Sequence, residues 1–125
     1  MEGVEIIDLE LVKDDERGSI FQFPNRDSEK LLLIKRKKWS ISGRHYHTWT
    51  NKMKDPETLI IIDGELEMIL KNMKTGEEFK QIYTRPTMFK IAPFIYHEIR
   101  AITDIIMLDM NAIDDDNDTI KVGRE

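Results

Sequence analysis

Turn-forming residues interrupt this chain again and again, and between the interruptions no apolar rhythm lasts long enough to build a long amphipathic helix. What remains reads as short strands. Val4–Val12 alternates loosely, and Asp14-Asp15-Glu16-Arg17-Gly18 follows as a charged turn. Ser19–Phe23 is a short strand stopped by Pro24-Asn25, and Lys30–Trp39 predicts a longer one. Thr58–Ile62 and Glu65–Lys71 flank Asp63-Gly64, the strongest hairpin signal in the chain, because Asp and Gly both tolerate the positive φ of a tight turn. On the second arm Leu66, Met68 and Leu70 share one side, which predicts a half-buried strand. Asn72-Met73-Lys74-Thr75-Gly76 is another turn, and Glu77–Tyr83, Met88–Ile91, Tyr96–Ala101 and Ile105–Met110 complete the series. Many short strands at even spacing predict an all-β sandwich or barrel, closed or stacked so that its edges are protected. With 125 residues and no linker or repeat, a single domain over 1–125 is expected.

Charge and composition narrow the partners. A net charge of −5 argues against a general grip on nucleic acid. The basic run Lys35-Arg36-Lys37-Lys38 follows a Leu-rich segment and reads as a strand passing from core to surface. The acidic run Asp114-Asp115-Asp116-Asn117-Asp118 lacks the loop glycine and distal glutamate of an EF-hand and reads as a solvated segment. No apolar stretch is long enough to span a bilayer, and the acidic start does not resemble a secretory signal, so a soluble cytoplasmic protein with no membrane partner is expected. There is no cysteine, so any metal must be held by nitrogen and oxygen.

The chain has three histidines, and they fall in two places. His45 and His47 form an H-x-H pair, and His97 closes Ala92-Pro93-Phe94-Ile95-Tyr96-His97. On a strand, residues i and i+2 point to the same face, so His45 and His47 can aim both rings at one ion while Tyr46 points away. Glu57, at the start of a strand, can add a carboxylate oxygen, and His97 can close the set. Imidazole and carboxylate donors suit Fe, Mn, Zn, Ni or Cu as divalent ions, and the affinity order does not choose among them.

These residues resemble the cupin superfamily. Its first motif runs from a glycine through H-x-H to a glutamate and a second glycine, matched here by His45-Tyr46-His47, Glu57 and Gly64. Its second motif is matched by Pro93 and His97. The resemblance covers a core of about residues 15–110 and implies a double-stranded β-helix, or jelly-roll barrel, often as a homodimer. Nine residues, Thr48 to Pro56, separate His47 from Glu57, a longer gap than the motif has. Trp39 stands at the leading glycine of the first motif, although Gly43 lies close by. Phe94 replaces the glycine of the second motif, and Arg100 and Ala101 stand where it has an asparagine.

Within that superfamily, Asp14-Asp15-Glu16-Arg17-Gly18-Ser19-Ile20 and Gly43-Arg44-His45-Tyr46-His47 look like the nucleotide-sugar epimerases and ketoisomerases. That likeness implies substrate contact by Arg17 and a base role for His45 on a proton next to a ketone. Ser42 stands where those enzymes have an arginine. Base and metal-ligand roles of His45 compete, because one lone pair cannot serve both. Such a reaction also needs a proton donor, for which Tyr96 and Tyr83 are candidates. Arg44 and Lys52 are candidates to neutralise an acidic group, and Trp49 to stack on a sugar or base. The expected function is a metal-binding cupin with sugar isomerase or epimerase chemistry, its site near the barrel mouth. The alternatives are a non-enzymatic sugar or small-molecule binder and a metal-dependent dioxygenase.

Overall fold

The structure, a computed structural model, describes residues 1–25, 31–48, 56–110 and 119–122. Trp49, Lys52 and the acidic run 114–118 therefore lie outside the described residues. Among the described residues twelve strands follow one another: β1 (Val4–Asp8), β2 (Glu10–Asp15), β3 (Gly18–Gln22), β4 (Leu32–Arg36), β5 (Ile41–His47), β6 (Glu57–Asp63), β7 (Leu66–Asn72), β8 (Glu78–Tyr83), β9 (Thr87–Ile91), β10 (Ile95–Ala101), β11 (Ile105–Asp109) and β12 (Thr119–Lys121). Ten of them form two five-stranded antiparallel sheets, ordered β1-β9-β6-β11-β4 and β12-β5-β10-β7-β8. This is the expected jelly roll. Among the described residues, β2 and β3 pair only with each other, as a separate ribbon.

The core lies between the two sheets. From one sheet, Leu59, Ile61, Phe89, Ile91, Ile105 and Met107 turn inward; from the other, Leu66, Met68, Leu70, Ile95, Ile99 and Ala101 meet them. Leu66, Met68 and Leu70 are buried and the residues between them half-buried, the alternation the sequence predicts for β7. β6 differs, being buried on both faces over Glu57–Ile61. Its outward Ile60 packs with Met88 and Met110, and with Leu9 and Phe23 at the root of the ribbon. Among the described residues, no helix is long and apolar enough to cross a membrane.

Three boundaries depart from expectation. Of the long strand expected over Lys30–Trp39, only β4 forms among the described residues, and Lys38 and Trp39 turn. Val4–Val12 is not one strand: β1 joins the sheet through β9, whereas β2 leaves it for the ribbon. Asp63-Gly64 does not close a hairpin of paired strands, because β6 and β7 lie in different sheets. Gly64 does take the positive φ, at 99°. The chain then turns out of plane, and a Cβ built on Gly64 would stand 2.3 Å from the Asp104 carbonyl oxygen. The corner is fixed by the β10–β11 connection: the amides of Ile102 and Thr103 donate to the Glu65 carbonyl, and Thr103 Oγ1 accepts from the Glu65 amide. The Asn72–Gly76 turn behaves as expected, with Asn72 Oδ1 accepting from the amides of Lys74 and Thr75.

Candidate metal centre

His45, His47, Glu57 and His97 converge. One donor atom from each can be chosen so that all four lie within 4.8 Å of one another. Three sheet positions produce this. β5 runs antiparallel to β10 with His45 opposite His97, and His47 is the last residue of β5. Glu57 opens β6 in the facing sheet, on the same side of the strand as Leu59 and Ile61. The long Thr48–Pro56 connection does not carry Glu57 away from the imidazoles.

Two further details aim the rings. His45 Nδ1 lies 2.9 Å from the Gly43 carbonyl oxygen, and His97 Nδ1 lies 3.3 Å from the Ile95 carbonyl oxygen. A carbonyl only accepts, so in each case Nδ1 carries a proton, and Nε2 points toward the other members of the cluster. Backbone carbonyls play this orienting part behind many metal-bound histidines. Glu57 Oε1 lies 2.8 Å from His47 Nε2 and 3.2 Å from His97 Nε2. The His45 ring centroid is 4.9 Å from that of His47 and 4.6 Å from that of His97.

The cluster is buried rather than set at an open mouth. His47, Glu57 and His97 are 3 %, 4 % and 2 % exposed, and His45 is half-buried. Burial, then the charge of His97, lower the His45 pKa to about 4, so its ring is neutral near pH 7. Burial raises the Glu57 pKa, but the charge of His97 and the close contact with His47 outweigh it and hold the carboxyl well below its usual range. An anionic carboxylate and imidazole nitrogens, with no sulfur, form a donor set that fits a borderline divalent ion.

The other sequence candidates fall elsewhere. Tyr96 is a neighbour of His97 on a regularly paired strand and so faces the opposite side of the sheet, where its hydroxyl donates to Glu98 Oε1 at 2.5 Å. That position corrects the expectation of Tyr96 as the acid beside His45. Arg44 is likewise on the outer side, with Nε 3.7 Å from Glu98 Oε1. Arg17 sits in the exposed β2–β3 turn, its Nη2 3.0 Å from Asp15 Oδ2, and is not part of the cluster. Tyr83 is packed edge-on against Phe89 in the core, with ring centroids 4.9 Å apart. A cavity of about 390 Å³ opens at the root of the ribbon, lined by Ile7, Leu9, Phe23 and Met88 among others, and none of the four clustered residues lines it.

The sequence reading missed Glu98, which is only 6 % exposed although it lies on the outer face of a sheet. Its signal was the alternation Tyr96, Glu98, Arg100 along β10: Arg100 Nε donates to Glu98 Oε2 at 2.6 Å. Two positions where cupin motifs carry glycine keep a glycine-like backbone without one, with φ of 70° at Trp39 and 66° at Phe94.

Neither a family profile nor a curated protein matches the sequence. Solved structures do match the fold. A histidine-to-asparagine mutant of a 3,4-ketoisomerase from Thermoanaerobacterium thermosaccharolyticum, in complex with TDP-4-keto-6-deoxyglucose, is 17 % identical over 97 % of this chain and 88 % of its own, with a TM-score of 0.74. A 3,4-ketoisomerase from Helicobacter canadensis is 22 % identical over 94 % of this chain and 90 % of its own, with a TM-score of 0.72. The dTDP-4-dehydrorhamnose 3,5-epimerase from Sulfolobus tokodaii is 15 % identical over 98 % of this chain and 78 % of its own, with a TM-score of 0.77. The chain thus has the cupin jelly-roll fold of these sugar-modifying enzymes.

Proposed function

We propose that this chain is a divalent-metal-binding cupin that acts on a carbohydrate carrying a carbonyl group, by proton transfer at the carbon next to it. The observation that carries the metal reading is the convergence of His45, His47, Glu57 and His97, with Nδ1 of two rings already committed to backbone carbonyls. The carbohydrate is suggested by the fold relatives, whose names are those of keto-sugar isomerases and epimerases.

A bound divalent ion would supply a Lewis acid able to polarise a carbonyl oxygen. The residues of the chain do the rest. Glu57 offsets positive charge in a buried setting, and the Gly43 and Ile95 carbonyls accept from Nδ1 of His45 and His97 and aim their rings. A second use of His45 is favoured by one observation: it is the least buried member, and its ring is neutral near pH 7. In that reading its Nε2 takes the substrate proton directly, and metal is dispensable.

Metal analysis of the protein as purified, together with proton exchange from a nucleotide-linked keto-sugar in deuterated water, tests both. Exchange lost on chelation and restored by one metal supports the metal reading; exchange that survives chelation supports the base. Saturable sugar binding without exchange would make the protein a binder, and oxygen uptake would point to a dioxygenase. A protein that takes up no divalent metal and shows no exchange would overturn the proposal.

A further inference from the structure

β5 would aim its histidines the wrong way if it were a regular strand. Ser42 stands opposite Ile99 of the core, and strict alternation from there would turn His45 and His47 to the outside. A bulge prevents this. Gly43 is opposite Glu98, His45 is opposite His97, and Arg44 is the extra residue between them. One added residue reverses the parity of all that follows, so both rings turn inward. Gly43 has φ of 85° and Arg44 has φ of 59°. The second value lies in the left-handed region, which a side chain such as arginine seldom adopts unaided.

We propose that Glu98 is a positioning residue of the site: acting through Arg44, from the outer face of the sheet, it holds the bulge that turns His45 and His47 inward. Its carboxylate is nearly inaccessible on a face where carboxylates are ordinarily solvated, and such burial persists only where partners compensate it. The partners are all in place. Tyr96 and Arg100 fix the two oxygens, and Oε1 meets the Arg44 guanidinium beside the bulge. The Val122 amide donates to the Arg44 carbonyl from the other flank, so the strained residue is gripped through both side chain and backbone. Arg44 thereby serves geometry rather than substrate contact.

The inference rests on the imidazole cluster being the working site, and its deciding readout, the ring contacts, needs neither metal nor sugar. Nuclear Overhauser effects between the ring protons of His45, His47 and His97 are measured in the metal-free protein. Glu98→Gln is expected to weaken the His45–His97 and His45–His47 effects at least about twofold, and to lower affinity for a probe ion such as Zn²⁺ about tenfold, as loss of an orienting partner typically does. Glycine adopts the left-handed conformation freely, so Arg44→Gly is expected to keep the ring contacts, and Glu98→Gln added to Arg44→Gly is expected to change nothing further. Unchanged ring contacts in Glu98→Gln would overturn the proposal, as would an equal loss with and without Arg44. Should Glu98→Gln not fold, Arg44→Ala is expected to lose the same contacts, and their persistence would refute the idea. A wild type that binds no Zn²⁺ yet shows the ring contacts counts against the proposed function and leaves this inference standing.

Discussion

Adding one methyl group at Gly43 tests whether the close crossing of β5 and β10 builds the site. The Cβ of an alanine there would stand 2.7 Å from the His97 carbonyl oxygen and 3.4 Å from the Glu98 Cα. The first contact is with backbone, which cannot swing aside, and relieving an overpacked contact of this kind costs about 1–3 kcal/mol. The left-handed φ of 85° adds about 1–2 kcal/mol for a residue with a Cβ. Stiffening of the unfolded chain returns about 0.4–1 kcal/mol. Gly43→Ala should therefore destabilise by about 1–5 kcal/mol, a fall in Tm of about 4–18 °C at the usual unfolding entropy per residue. Gly76→Ala is the control: its φ is 83°, and nothing lies within 4 Å of its Cβ, so only the backbone cost applies. Scanning calorimetry of both variants separates the two contributions. If Gly43→Ala costs no more than Gly76→Ala, the close approach of the strands carries no energy and the reasoning fails.

His47→Asn should cut bound divalent metal at least about tenfold by elemental analysis; asparagine is the better choice over alanine because His47 is 97 % buried and truncation would leave a cavity. Unchanged metal content in that variant would remove His47 from the ligand set. Trp39 is 70 % exposed at φ of 70°, with Lys38 Nζ 5.2 Å from its ring, so Trp39→Asn should relieve backbone strain at little cost in packing and raise Tm by about 2–4 °C. A lowered Tm would show that the indole contributes more than its exposure suggests. Burial, then the hydrogen bond to Glu98, raise the Tyr96 pKa to about 12. The folded state holds that proton more tightly than the unfolded one, so its stabilisation is complete below pH 10 and is lost as pH rises toward 12. Denaturant midpoints across pH 8–12 should fall less steeply in Tyr96→Phe than in wild type; equal slopes would refute the linkage.

The sequence disclosed the parts governed by period and by residue chemistry. β7 alternates because Leu66, Met68 and Leu70 face a core, and that spacing is visible in any alignment-free reading. The four clustered residues were legible because H-x-H on a strand turns both rings to one face, and Glu57 and His97 fall at positions that resemble the cupin motifs. Pairing across the molecule was not legible. Asp63-Gly64 has the turn chemistry of a hairpin, yet whether the following strand returns beside β6 or crosses to the other sheet depends on the β10–β11 corner about forty residues later. The bulge at Gly43-Arg44 was hidden for a related reason: parity on β5 is set by its register with β10. Arg44 and Tyr96 read as substrate-chemistry residues in the sequence, whereas their shared partner is a carboxylate on the outer face.

The four donors do not belong to one layer: three imidazoles hang from the sheet of β5 and β10, and the carboxylate comes from the sheet of β6. Any ion gripped by all of them would be a rivet through the sandwich, resisting separation of its two halves at that end. Saturation at a hundred times the dissociation constant would then add about 2.7 kcal/mol to the whole fold, so that stripping the ion loosens the walls as well as emptying the nest.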